Sequence, residues 1–293
     1  MAKAKRRTHG GFPPDTEVMT ETGWVKIYAL TLGDGVRVYS PTSGWETKNQ
    51  IRKSAIPSAR WSWEIVTERG DFCVGEGELL PTTAGRRTTG AKWPALGVYT
   101  ALADRPQVRL NHGALTVLMA LLRFGIVDSS GYSVRVRDTD QRRVIRMILG
   151  RDGTVCRDGW EKWSGVMSSP RLRGIDIDLH GLCPTSAPLL RAAYKMFIED
   201  TYLTKQQAEA LQRYFVQAGV GCELITNANR GRLAFHDENT AKVLSRTRRR
   251  VQRLFRLSGA DGKIAIRQGG APMIVNITGA GNGKAKRTRT VKA

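Results

Sequence analysis

Arg246, Arg249, Arg250, Arg253 and Arg256 fall within residues 243–258, a span that holds no acid. A guanidinium is permanently charged and presents a planar fork of donors, which suits it to phosphate oxygens. Lys284, Lys286, Arg287 and Arg289 continue the same chemistry in a low-complexity end. The pattern therefore points to nucleic-acid contact, with a plain solvated face as the competing reading. Other chemistry is poorly represented. Cys73, Cys156, Cys183 and Cys222 include no CxxC and read as reduced, mostly buried thiols. His9, His112, His180 and His236 have no HExxH spacing, and GAGNGK at 279–284 lacks the GxxxxGK[ST] pattern of a phosphate loop. Trp61, Trp63, Trp160 and Trp163 are close in pairs, and packing suits them better than base stacking.

The whole chain supports a polyanion partner. Its 293 residues carry a formal charge of +21. Lys3, Lys5, Arg6 and Arg7 at one end and five cations in the last ten residues account for nine of these, leaving +12 on the body. Acid-free basic ends of this kind read as disordered tails. Hydrophobic residues make up 41% of the chain, enough for a sizeable core. No run nears the roughly 20 apolar residues of a membrane helix, and MAKAKRRTHGG has no secretory apolar stretch, so no membrane partner and a cytoplasmic setting are expected, including an infected host cell or a virion.

The elements that must position these residues change character along the chain. From 15 to about 100, short alternating runs broken by turn residues read as all-β. Residues 110–125 read as an apolar helix stopped by Gly125, 131–136 as a strand, and 140–149 as a helix. A helix at 188–200 is followed by Thr204 and Gln207, an S/T-x-x-Q capping box that opens another helix ended near Gly219. CELIT and RLAFH form a hairpin, and 239–257 reads as a final helix with Val243, Val251 and Leu254 inward and the arginines outward. Segments 114–150 and 208–248 share the order helix, glycine, hairpin, acidic turn, helix, with Gly125 matching Gly219 and Asp138 matching Asp237. This is an internal repeat with pseudo-twofold symmetry in a monomer.

Residues 11–18, GFPPDTEV, together with TGWVKIYALTLGDGVRVYS and TERGDFCVGEGELLPTTAGR, resemble the Hint fold of inteins and hedgehog-type autoprocessing domains. The resemblance covers about a quarter of the chain. It puts Gly11 at the splicing nucleophile, and Gly75 and Glu78 where the family places a Thr and a His. Glycine has no thiol or hydroxyl for acyl transfer, and no terminal His-Asn follows MIVNIT, so these are degenerate splicing positions and the resemblance implies scaffold without splicing.

Residues 109–257 resemble a degenerate LAGLIDADG homing endonuclease of the type inserted in many inteins, with LLRAAYKMFIED in the place of the second signature helix. That family delivers one acid per helix to divalent metals at the scissile phosphates. Ungapped alignment puts Gly125 and Phe197 at those places, and a shifted register offers Asp128, Glu199 or Asp200 as the catalytic acids. The hairpin that should follow the second helix has no room, because three residues separate Asp200 from the cap at Thr204.

The expected fold class is α+β, an all-β Hint-like domain with an inserted pseudo-twofold LAGLIDADG-like α/β domain. Its divisions are a basic tail at 1–10, a β domain at 11–100, the inserted domain at 101–257, carboxyl strands at 258–280 returning to the β domain, and a basic tail at 281–293. The resemblance implies a splicing-inactive nucleic-acid-binding protein of homing-endonuclease type acting on double-stranded DNA, with Mg2+ as cofactor wherever cleavage persists. The alternative is a catalytically dead assembly protein of a virus particle or ribonucleoprotein, its basic tails bound to nucleic acid and its partners the other components of that particle.

Overall fold

A computed structural model describes residues 10–20, 23–36, 38–40, 44–46, 51–56, 61–82, 85–88, 95–96, 119, 123–128, 131–165, 187–199, 201–236, 240–249, 253–259 and 262–277. Within these residues the chain is mostly β-sheet, with three bounded helices. The amino-terminal turn is set by prolines. Thr16 N–H donates to the Pro13 carbonyl at 3.2 Å, and the chain then enters the strand Glu17–Met19. That strand pairs on one side with Trp24–Lys26 and on the other with Gly262–Gln268, so that Val18 lies opposite Ile266. The carboxyl hairpin Gly262–Gln268 and Ala271–Ile277 turns through Gly269 and Gly270, both at positive φ. Two consecutive residues of that conformation make the tight hairpin turn that follows strand twist.

This hairpin is buried on both faces. Ile264, Ile266, Met273 and Val275 belong to a core with Val18, Ile27, Val38, Ile65, Phe72, Val74 and Leu80, while Ala265 and Ile274 belong to a second core. Alternation along each strand sends successive side chains to opposite faces, so one hairpin divides two cores. The second core is filled by Val134, Val136, Ile145, Leu149 and Trp163, and by Leu190, Tyr194, Leu211, Phe215 and Leu233.

The elements of the second core follow their sequence signals. The helix Thr139–Leu149 is capped by Asp138, whose carboxylate accepts from Gln141 N–H at 2.9 Å, and stops at Gly150 in the left-handed conformation. It accompanies a sheet of Gly125–Asp128, Gly131–Val136, Glu161–Gly165 and Thr154–Val155. The helix Lys205–Gln217 carries the Thr204 and Gln207 capping box. The hairpin Cys222–Asn227 and Arg230–Phe235 turns at Ala228, φ 50°. Tyr194, Phe215 and Phe235 meet edge to face, with centroids 4.7–5.7 Å apart. Of the helix expected over 110–125, Met119, Arg123, Phe124 and Gly125 are described; the first three are helical, and Gly125 already begins a strand.

The expected helix over 239–257 is corrected. Ala241–Arg249 is a strand between Ser62–Thr67 and Ala95–Leu96, and Phe255–Ser258 pairs with Arg52–Ala55. Leu244 bulges out of register between Val243 and Ser245 and is 60% exposed. The open edge of Ser62–Thr67 supplies backbone partners that outweigh local helix propensity, and Val243 and Thr247 are β-branched. The last helix of the internal repeat is therefore absent from the second half.

Candidate functional site

Gly10 and Gly11 are buried at the junction of four distant segments. Phe12 exchanges backbone hydrogen bonds with Phe255 in both directions, each at 2.8 Å. Gly75 N–H donates to the Gly11 carbonyl at 2.7 Å, and Glu78 N–H donates to the Gly75 carbonyl at 3.1 Å. A β-carbon on Gly11 would lie 2.8 Å from the Phe255 carbonyl oxygen and 3.0 Å from Ile56 Cδ1, and one on Gly75 would lie 2.9 Å from Gly11 N. Both positions are thus glycine for lack of room. A cysteine or serine at 11 has to displace the backbone of Phe255 before it can attack anything.

Glu78 closes this junction, with its carboxylate packed against Gly10. Burial pushes its pKa up to about 7, while the Leu79 backbone N–H and the charge of Arg256 act in the opposite sense. Near neutrality the group is divided between acid and carboxylate, and it can hold or release a proton beside the Gly10–Gly11 peptide. The three residues Gly11, Gly75 and Glu78, separated by up to 67 positions, are brought to one place.

The arginine strand builds a second feature. Arg248 lies opposite Trp63 and Arg246 opposite Ile65. Each guanidinium reaches diagonally over an indole, Arg246 over Trp63 at 4.8 Å and Arg248 over Trp61 at 4.5 Å. Arg248 also pairs with Glu76 at 3.3 Å. Arg253 stands over Phe255 at 5.8 Å, and Arg253 and Arg256 are exposed. Diagonal contacts of this length are the normal reach of long side chains across strands. Trp61 and Trp63 thus pack against arginine, Trp163 is fully buried, and Trp160 lies under Arg135 at 5.2 Å.

The remaining predicted residues lie on other elements. Asp128 ends the strand Gly125–Asp128, opposite Gly131 at the hairpin tip. Glu199 is exposed just beyond the helix Ala187–Phe197, its N–H donating to the Tyr194 carbonyl at 3.2 Å. Arg249 is the last residue of its strand. Asp200, Arg250, Lys284, Lys286, Arg287 and Arg289 lie outside the described residues. Among the described residues no three His, Cys, Asp or Glu groups gather as a metal site, and no helix is long and apolar enough to cross a membrane. Cys73, Cys156 and Cys222 form no disulfide, and burial pushes the thiol pKa of Cys222 up.

Two arginines with well-defined partners escape the sequence reading. Arg248 falls off the face that helical spacing selects, and only strand alternation pairs it with Arg246. Arg267 is 3% exposed and contacts Glu17 at 2.6 Å, Glu209 at 2.9 Å and Gln212 at 2.9 Å, with its guanidinium 4.7 Å from the Trp24 ring. Its sequence signal is a single charge closing the apolar run Ile264, Ala265, Ile266.

No family model and no curated protein matches the chain. Among solved structures it is similar to the gp41-1 intein at 26% identity, over 32% of this chain and 70% of that one, with a TM-score of 0.24. A substituted form of the same intein gives 26% identity, 31% and 69% coverage, and 0.25. The DnaX mini intein from Spirulina platensis is 9% identical over 92% of this chain and 99% of that one, with a TM-score of 0.30.

Proposed function

We propose that this chain is a splicing-inactive protein built on an intein-type scaffold, and that it binds nucleic acid, double-stranded DNA in the first instance. The observation that carries the scaffold reading is the meeting of Gly11, Gly75 and Glu78, the positions the sequence resemblance singles out, around a junction with no space for a nucleophile. Binding rests on the +21 charge and on the cation-bearing strand Ala241–Arg249. The LAGLIDADG-like reading of the inserted segment makes Asp128, Glu199 and Asp200 its acids, an oxygen donor set that suits Mg2+.

Fluorescence anisotropy with the full chain and a labelled duplex tests this. Affinity is expected to fall linearly in log-log form with salt, and Arg246→Gln with Arg253→Gln is expected to reduce that slope by about two. Salt-independent affinity, or no binding at low salt, overturns the reading. Plasmid nicking with Mg2+, lost in an Asp128, Glu199 and Asp200 triple alanine variant, would identify a nuclease. Salt-sensitive binding with no nicking favours the assembly role in a virus particle or ribonucleoprotein.

A further inference from the structure

An open pocket of about 530 Å3 is lined by Glu68, Arg69, His236 and Lys242. Arg69 sits in the turn between the strands Ser62–Thr67 and Gly70–Gly75, and its side chain is only 12% exposed. Neither Nε nor Nη1 has a hydrogen-bond acceptor. The neighbouring Glu68 Oε1 is 3.6 Å from Nε, beyond hydrogen-bond length, and is held aside by the Lys242 backbone N–H at 3.1 Å. His236 is fixed from both ends, its N–H donating to the Gly221 carbonyl at 3.0 Å and its carbonyl accepting from Arg191 Nη2 at 3.2 Å.

Guanidinium, ammonium and imidazole thus line one cavity from three separate segments, and the most buried of them has donors left over. Buried donors without acceptors are costly, and an anion with several oxygens can satisfy more than one of them. The volume falls in the range of small-ligand sites and exceeds what an isolated phosphate fills.

We propose that this pocket binds a phosphate group, as free phosphate or as the monoester of a nucleotide. It is independent of the arginine strand's indole-facing side. Val243 lies opposite Thr67 and Arg246 opposite Ile65, residues of one face of their strand, so the adjacent Lys242 points to the other face.

Isothermal titration of the full chain at constant ionic strength tests the site with inorganic phosphate, a nucleoside 5′-monophosphate and the unphosphorylated nucleoside. The first two are expected to saturate a single site and the nucleoside to give no heat. Lys242→Met, an exposed position, and Arg69→Met are each expected to weaken phosphate by about tenfold. Arg246→Gln leaves it unchanged. Tighter monophosphate than phosphate makes the rest of the cavity part of the site, and equal affinity makes phosphate itself the ligand. Circular dichroism checks each variant's fold, and Lys242→Met decides the matter if Arg69→Met unfolds. No saturable heat, an unaltered affinity in Lys242→Met, or an equal loss in Arg246→Gln overturns the proposal. Loss of duplex binding with phosphate binding retained would remove the nucleic-acid reading alone.

Discussion

Glu78 ties the buried junction at Gly10 to pH. Its pKa is raised by burial, so the folded protein binds that proton more tightly than the unfolded chain does. The resulting contribution to stability is fully present below the ordinary carboxylate pKa of 4.5 and is lost as pH rises towards about 7. Urea midpoints measured between pH 4.5 and 8 are expected to show this decline, and Glu78→Gln is expected to remove it. A decline of equal size in the variant would assign it to other groups. Gly11, Gly75 and Glu78 were singled out by the resemblance carried by GFPPDTEV and TERGDFCVGEGELLPTTAGR, and the structure brings the three together. That no β-carbon fits at 11 was not legible, since the obstruction comes from Ile56 and Phe255.

The element that sequence reading mistook is the most basic one. SRTRRRVQRLFRL satisfies helical spacing because arginine is frequent enough to fall on any face, so periodicity alone cannot separate helix from strand. What decides is the partner, Ser62–Thr67, where Trp63 and the adjoining Trp61 accept the guanidinium groups. A double-mutant cycle of Trp61→Ala and Arg248→Gln, read by chemical denaturation, is expected to give a coupling of about 0.5–1 kcal/mol, the size of an exposed cation–π contact. No coupling would mean that the ion pair with Glu76, itself worth little in solvent, accounts for the placement of Arg248. The capping box at Thr204 and Gln207 was legible because it is local, with both partners within one turn.

At the scale of the molecule, Arg267 joins the carboxyl hairpin to the helix Lys205–Gln217 and to the first strand. Gly270 extends the joint, its carbonyl accepting from Leu224 N–H at 3.1 Å and Gln212 Nε2 at 2.8 Å. Arg267→Met leaves Glu17 and Glu209 facing an apolar side chain. It is expected to cost about 3 kcal/mol, the lower end for a broken buried pair because both acids are about a quarter exposed. Hydrogen exchange should quicken together in Gly262–Gln268 and Lys205–Gln217, and a loss confined to one of them would show that Arg267 does not couple the two.

The pairing of Glu17 with Arg267 also governs time. The first strand meets Trp24–Lys26 at once, but its second neighbour, Gly262–Gln268, is some 250 residues further on. Contacts so distant in sequence form slowly, because a large loop must close before any of them is rewarded. During synthesis the hairpins of Gly125–Asp128 with Gly131–Val136 and of Cys222–Asn227 with Arg230–Phe235 can pair before that ladder closes.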